Sequence, residues 1–185
     1  MSKQQHAPGR LEAVRAFVNT ADLEEGSEEL SSAEGLARWL SANELAPARV
    51  RPSQADLRHA ISLREALRAV LLAHNGGEGI PTMACTALDE AAARARLRLR
   101  FVAGGEAVLE PEGEDVDAAL GRLLGIVHEA IAQGTWVRLK ACRDHACQWA
   151  FYDHTKNRSG AWCNMQVCGN RAKARAFRER QAAAD

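Results

Sequence analysis

Cys142-Arg-Asp-His-Ala-Cys147 and, fifteen residues on, Cys163-Asn-Met-Gln-Val-Cys168 are the stretches that decide how this chain is built. Each places four residues between its cysteines, a spacing that forms a short knuckle with two sulfurs on one side of an ion. Two knuckles joined by a loop offer the tetrahedral four-thiolate donor set of structural zinc. A disulfide framework would use the same cysteines, but the paired spacing and an expected reducing cytoplasm weigh against it. Cys85 stands apart near the start of a predicted helix and reads as a small core residue.

Four thiolates close the coordination shell, whereas catalytic zinc keeps a position open for water or substrate. Zn2+ is therefore expected to hold together a segment too short for a large core of its own. Trp149, Phe151, Trp162 and Val167 are expected to pack around it, with His145 and His154 at the surface or behind the ligands.

After Cys168 the chain continues Gly169-Asn170-Arg171-Ala-Lys173-Ala-Arg175-Ala-Phe177-Arg178-Glu179-Arg180. Asn170 suits an N-cap and the alanines favour a helix. On it Arg171, Arg175 and Arg178 share one stripe, and Phe177 with Ala172 and Ala176 is expected to dock on the knuckles. The net charge of zero hides a split. Residues 1–134 carry fourteen Lys and Arg against twenty Asp and Glu, a balance of −6, and residues 135–185 carry ten against four, a balance of +6. A basic module on an acidic body points to an anionic partner or to mutual neutralisation.

The body reads as mainly helical. Ser31-Ser32-Ala33-Glu34 resembles a capping box with Ser31 as the cap. Ser53 opens a long helix whose stripe runs through Leu57, Ala60, Ile61, Leu63, Ala66, Leu67, Val70 and Leu71 to Asn75-Gly76-Gly77. A further helix is predicted over 86–95. Arg96-Leu97-Arg98-Leu99-Arg100-Phe101 then alternates, predicting a strand with one face buried. After Gly104-Gly105 a second strand covers 107–110, with Glu106 or Glu110 pairing with the solvated arginines. Asp115 to Gln133 is the clearest helix, ended by Gly134; His128 beside its stripe reads as packed or at the surface.

No apolar run approaches the ~20 residues needed to cross a bilayer. Met1 to Gly9 is polar, without the apolar centre of a signal peptide, and is expected to fray. Nucleophile, phosphate-loop and histidine–metal motifs are absent, which argues against an enzyme.

The run from Leu139 to Arg178, above all Phe151-Tyr152-Asp153, Asn157-Arg158-Ser159, Trp162-Cys163, Met165 and Cys168-Gly169-Asn170-Arg171-Ala172-Lys173, resembles the CGNR zinc finger. Phe17-Val18-Asn19-Thr20, Leu36 to Leu40 and Leu63-Arg64-Glu65-Ala66-Leu67 are similar to the ABATE domain that normally precedes it. An aspartate commonly precedes the Phe of that early signature; here it is Ala16. The resemblance implies a bacterial stress-related transcription regulator with a DNA-binding zinc finger.

The expected architecture is mainly α with a small β-hairpin (α+β). A helical domain over 1–134 precedes a four-cysteine zinc module over 135–185 that ends in a basic helix. The expected zinc ligands are Cys142, Cys147, Cys163 and Cys168. The expected DNA contacts are Arg171, Lys173, Arg175 and Arg178, supported by Lys156 and Arg158 between the knuckles. The expected partners are DNA and a small-molecule or protein effector on the N-terminal domain, with a homodimer compatible and no membrane. The alternative is an interaction protein in which zinc staples the tail to the acidic body or to a second copy.

Overall fold

The stripe after Ser53 becomes the central helix of the computed structural model, which describes residues 5–182. This helix is Gln54–His74; with Leu11–Val18 as α1 and Ala33–Ala42 as α2 before it, it is α3. Ser53 Oγ accepts from the Asp56 N–H while the Asp56 carboxylate accepts from the Ser53 N–H, so the first turn's free donors are met reciprocally. Helix α4 is Thr82–Arg94 and α5 is Val116–Ala132, with Asp115 capping the Ala118 N–H. Phe17, Leu36, Leu40, Leu63, Leu67, Leu71 and Leu123 are fully buried between these helices. Strands occur among the described residues only as two-stranded antiparallel ladders, so the fold is mainly α with small hairpins, as predicted. They are β1 (Ala21–Asp22) with β2 (Ser27–Glu28), β3 (Arg98–Phe101) with β4 (Ala107–Glu110), and β5 (Leu139–Ala141) with β6 (Ala150–Tyr152).

Several local expectations are corrected. The cap of α2 is Ser32, not Ser31, and its side chain accepts from the Gly35 N–H. Helix α4 begins directly after Pro81, whose fixed φ suits a helix entrance. Cys85 thereby falls on an exposed side and is no core residue. Strand β3 buries neither face: Leu99 is 55% and Phe101 75% exposed, because no layer of the described residues covers it. Its arginines pair as a solvated face should, Arg100 with Glu110 at 3.1 Å, and Arg96 and Arg98 with Glu112 rather than Glu106 at 3.5 and 3.0 Å.

The hairpin is positioned through β4, which crosses α5 at Gly125. A Cβ there would sit 2.7 Å from the Leu109 carbonyl oxygen, a backbone atom that cannot swing away. Gly125→Ala should therefore cost about 1–3 kcal/mol by overpacking, although alanine is the better helix former by about 1 kcal/mol. Denaturant unfolding checks the sign: a stabilised variant would show that β4 is free to move off.

Beyond Gly134, at φ +67°, a single 3-10 turn Trp136–Arg138 leads into β5. Trp136, Leu139, Ala141, Ala150 and Tyr152 belong to the same apolar cluster as the helices, so one core runs across this junction. The start of the chain joins it too. The Tyr152 N–H donates to the Gln5 carbonyl at 2.9 Å and Ala7 is buried, so residues 5–9 are docked rather than frayed. Residues 1–4 of the expected tail lie outside the described residues.

Candidate metal centre

Both knuckles are closed by backbone geometry that their sequences dictate. The first is the loop between β5 and β6. There the Cys142 N–H donates to Trp149 O at 3.0 Å, while Cys147 and Gln148 both donate to Asp144 O at 2.8 and 3.0 Å. The second opens at Asn164, whose side-chain oxygen accepts from the Gln166 and Val167 N–H groups and whose carbonyl accepts from Cys168. This start lies six residues before the cap predicted at Asn170. From it a wide π-type turn, Met165–Gly169, runs without a break into α6 (Asn170–Ala182). The Met165 side chain packs over Gly169, where a Cβ would displace its thioether.

These turns bring the sulfurs of Cys142, Cys147, Cys163 and Cys168 within 4.8 Å of one another, all four buried. Cys147 Sγ lies 3.5 Å from Cys163 Sγ, which lies 3.7 Å from Cys168 Sγ. A disulfide needs about 2.05 Å, whereas a tetrahedron of 2.3 Å Zn–S bonds has edges of about 3.8 Å. The donor set thus fits a tetrahedral thiophilic ion. Charge agrees: hydrogen bonds from Cys147 and Cys163 hold the Cys142 thiol low, and proximity to the Cys142 sulfur pushes Cys163 and Cys147 up. One thiolate is tolerated without help, and a cation is what lets its neighbours ionise.

Phe151 is fully buried against the cluster with Trp149 and Trp162 beside it, as expected, while Val167 is exposed. His145 and His154 are exposed and outside the sulfur cluster; His154 Nε2 lies 3.0 Å from His6 O. The N-terminal helices clamp the module by its backbone. The Asn19 amide mimics a neighbouring strand, donating to Ala150 O at 2.9 Å and accepting from Ala150 N–H at 2.7 Å. Asn75 Nδ2 donates to Ala141 O and Ala161 O, and the buried Arg68 donates to Gln148 O.

Two family models cover this arrangement. The CGNR zinc finger model matches residues 138–181, which contain both knuckles. The ABATE model, described as "Putative stress-induced transcription regulator", matches residues 11–136. The chain belongs to the ABATE family. No curated protein matches it.

In this ABATE protein the basic helix is rooted by acids that sequence reading passed over. Asp144, inside the first knuckle, is 2% exposed. Its Oδ2 lies 2.8 Å from Arg171 Nε, a charge contact without hydrogen-bond alignment, and its Oδ1 lies 3.5 Å from Arg175 Nη2. Arg171 also donates to Glu24 Oε1 at 2.7 Å and to Cys168 Sγ at 3.2 Å, contacts that raise its pKa further above the ordinary guanidinium value. Arg171 and Arg175 thus both pair with Asp144 while remaining partly exposed. Lys156, Arg158, Lys173 and Arg178 are exposed and have no ion-pair partner among the described residues. Phe177 is 56% exposed and does not dock on the knuckles; Ala172 and Ala176 are half-buried. A visible signal for Asp144 existed: few acids occur after residue 134, and this one lies between two ligands.

A second buried pair holds the loop between the knuckles. Lys140 Nζ donates to Asp153 Oδ2 at 2.7 Å and to the Arg158 and Gly160 carbonyls at 2.5 and 3.1 Å. Asp153 also accepts from Thr155 and from the Gly160 N–H. This pair presents Lys156 and Arg158 on the outer side of the module.

Proposed function

We propose that this chain is a non-catalytic transcription regulator whose zinc module binds DNA through its phosphate backbone. The observation that carries the reading is the placement of Lys156, Arg158, Lys173 and Arg178 as exposed, unpaired cations on the loop and helix of one metal-organised module. Helix α6 buries none of its residues, so its cationic surface is open to a groove or a phosphate track. The four-thiolate set leaves zinc no open position, which fits a structural ion and supports an absence of hydrolytic chemistry. No helix among the described residues is long and apolar enough to cross a membrane.

Each phosphate contact releases counterions, so log affinity should fall with log salt by about 0.9 per contact. Three to five contacts give a slope of roughly −3 to −4.5. Lys173→Gln with Arg178→Gln should weaken binding to every duplex and flatten the slope by about 2. The same change at Arg96, Arg98 and Arg100, which pair with glutamates, should leave it unchanged. Fluorescence anisotropy with short duplexes over a salt series reads all three.

The second reading, zinc as a staple between tail and acidic body, is favoured by the Arg171–Glu24 ion pair and the Asn19, Arg68 and Asn75 clamps. Wild-type protein that binds no duplex at low salt would decide for it.

A further inference from the structure

Away from the thiolates, the first turns of α3 and α5 bring a second set of metal-ligating side chains together. Asp56 and His59 stand one helical turn apart on α3, and Asp117 faces them from α5. Each offers a ligand atom, and these atoms lie within 4.8 Å of one another. Both carboxylates are fixed through one oxygen and leave the other available. Asp56 Oδ2 accepts from the Ser53 N–H and hydroxyl, both at 2.7 Å, and Asp117 Oδ1 accepts from Arg94 Nε at 2.9 Å. Among the described residues neither Asp56 Oδ1 nor Asp117 Oδ2 has a hydrogen-bond partner.

Two independent observations point to an occupant. His59 is itself only partly buried, but its Nδ1 is shielded from solvent and has no hydrogen-bond partner among the described residues, a cost that a ligand would relieve. A small cavity of about 20 Å³ lies against His59, Asp117, Glu90 and Arg94, room for one water-sized occupant. On the other side of the aspartates a larger cleft of about 500 Å³, lined by Asp56, Glu114, Asp115 and Asp117 together with Arg49 and Arg51, gives access from solvent and space for water ligands.

We infer that Asp56, His59 and Asp117 form a second metal site, which takes a divalent first-row transition ion in exchangeable fashion. One imidazole and two carboxylates form a borderline-hard set suited to Mn2+, Fe2+ or Zn2+, unlike the soft thiolate set at the other end of the chain. Arg94 neutralises part of the acidic charge and the remaining coordination positions fall to water. Affinity should therefore be weaker than at the thiolates, and the ion should exchange. A divalent cation thereby becomes the ligand of the N-terminal domain, whatever the zinc module contacts.

The test uses the full chain already carrying one zinc in its thiolate site. Mn2+ is titrated with electron paramagnetic resonance reporting the free ion, and Zn2+ is titrated by calorimetry in parallel. One further equivalent of at least one of the two ions should bind. His59→Gln and Asp117→Asn should each weaken it by at least about tenfold while the thiolate zinc stays in place. Asp56 carries the α3 cap and is left intact, so the variants fold; unchanged circular dichroism checks this. Failure of both ions to bind beyond the first zinc would overturn the site, as would unchanged affinity in both variants. Neither result bears on DNA binding.

Discussion

Cys163→Ser and Cys168→Ser should each lose the zinc and unfold the segment from the second knuckle through α6. Purified wild-type protein should hold close to one zinc per chain, and elemental analysis of either variant should find markedly less. The magnitude follows from coupling: structural zinc contributes about 10–16 kcal/mol to the folding of small metal modules. Here the four cysteines and Phe151 are the buried centre of their cluster, with Trp149 and Trp162 only partly buried beside them. Proteolysis should then cut between Ala161 and Ala182 first, while the residues clamped by Asn19 and Asn75 remain protected. A full complement of zinc in both variants would sink the four-thiolate assignment.

Lys140→Met should also destabilise the module, by less than loss of the zinc, although it touches no ligand. Lys140 is 4% and Asp153 1% exposed, so removing the ammonium strands a buried carboxylate. Breaking such a pair from one side costs about 3–5 kcal/mol, a fall of roughly 10 °C in Tm for a chain of this size. Exchanging both partners for apolar residues should cost less. The pH dependence has a defined sign. Burial alone would raise the Asp153 carboxyl, but hydrogen bonds from Lys140, Thr155 and Gly160 outweigh it and hold it at about 2. A depressed pKa stabilises above the unfolded value near 4 and is lost as pH falls through the folded value. About 2 kcal/mol should therefore disappear between pH 4 and 2 in the wild type. In Lys140→Met the deficit should be largest at neutral pH and shrink as Asp153 protonates. Thermal unfolding across this range reads both effects. A variant as stable as wild type at pH 7 would mean that the loop carrying Lys156 and Arg158 is not held by this pair.

The helices and the sulfur cluster were legible because they are written locally. Apolar spacing, the Ser53 and Asp115 caps, and equal cysteine intervals each act within a few residues. What escaped is long-range. Glu24 meets Arg171 across 147 positions and Asn19 meets Ala150 across 131, and no periodicity encodes either contact. The β3 alternation was read correctly as a strand, but whether its apolar face is covered depends on what packs above it, and among the described residues nothing does. Phe177 and Val167 failed for a related reason: a continuous π-to-α turn starting at Asn164 points them outward, whereas a helix capped at Asn170 would have been oriented differently. Asp56, His59 and Asp117 come from two helices and lie 58 residues apart at their nearest, a separation that no local pattern bridges.

X-ray absorption at the zinc edge, on protein carrying one zinc per chain, tests the central claim most directly. Four sulfur scatterers at about 2.3 Å and no lighter neighbour in the first shell are the predicted result. An oxygen or nitrogen in that shell would contradict it, opening a coordination position and with it a chemistry that a closed thiolate site does not support.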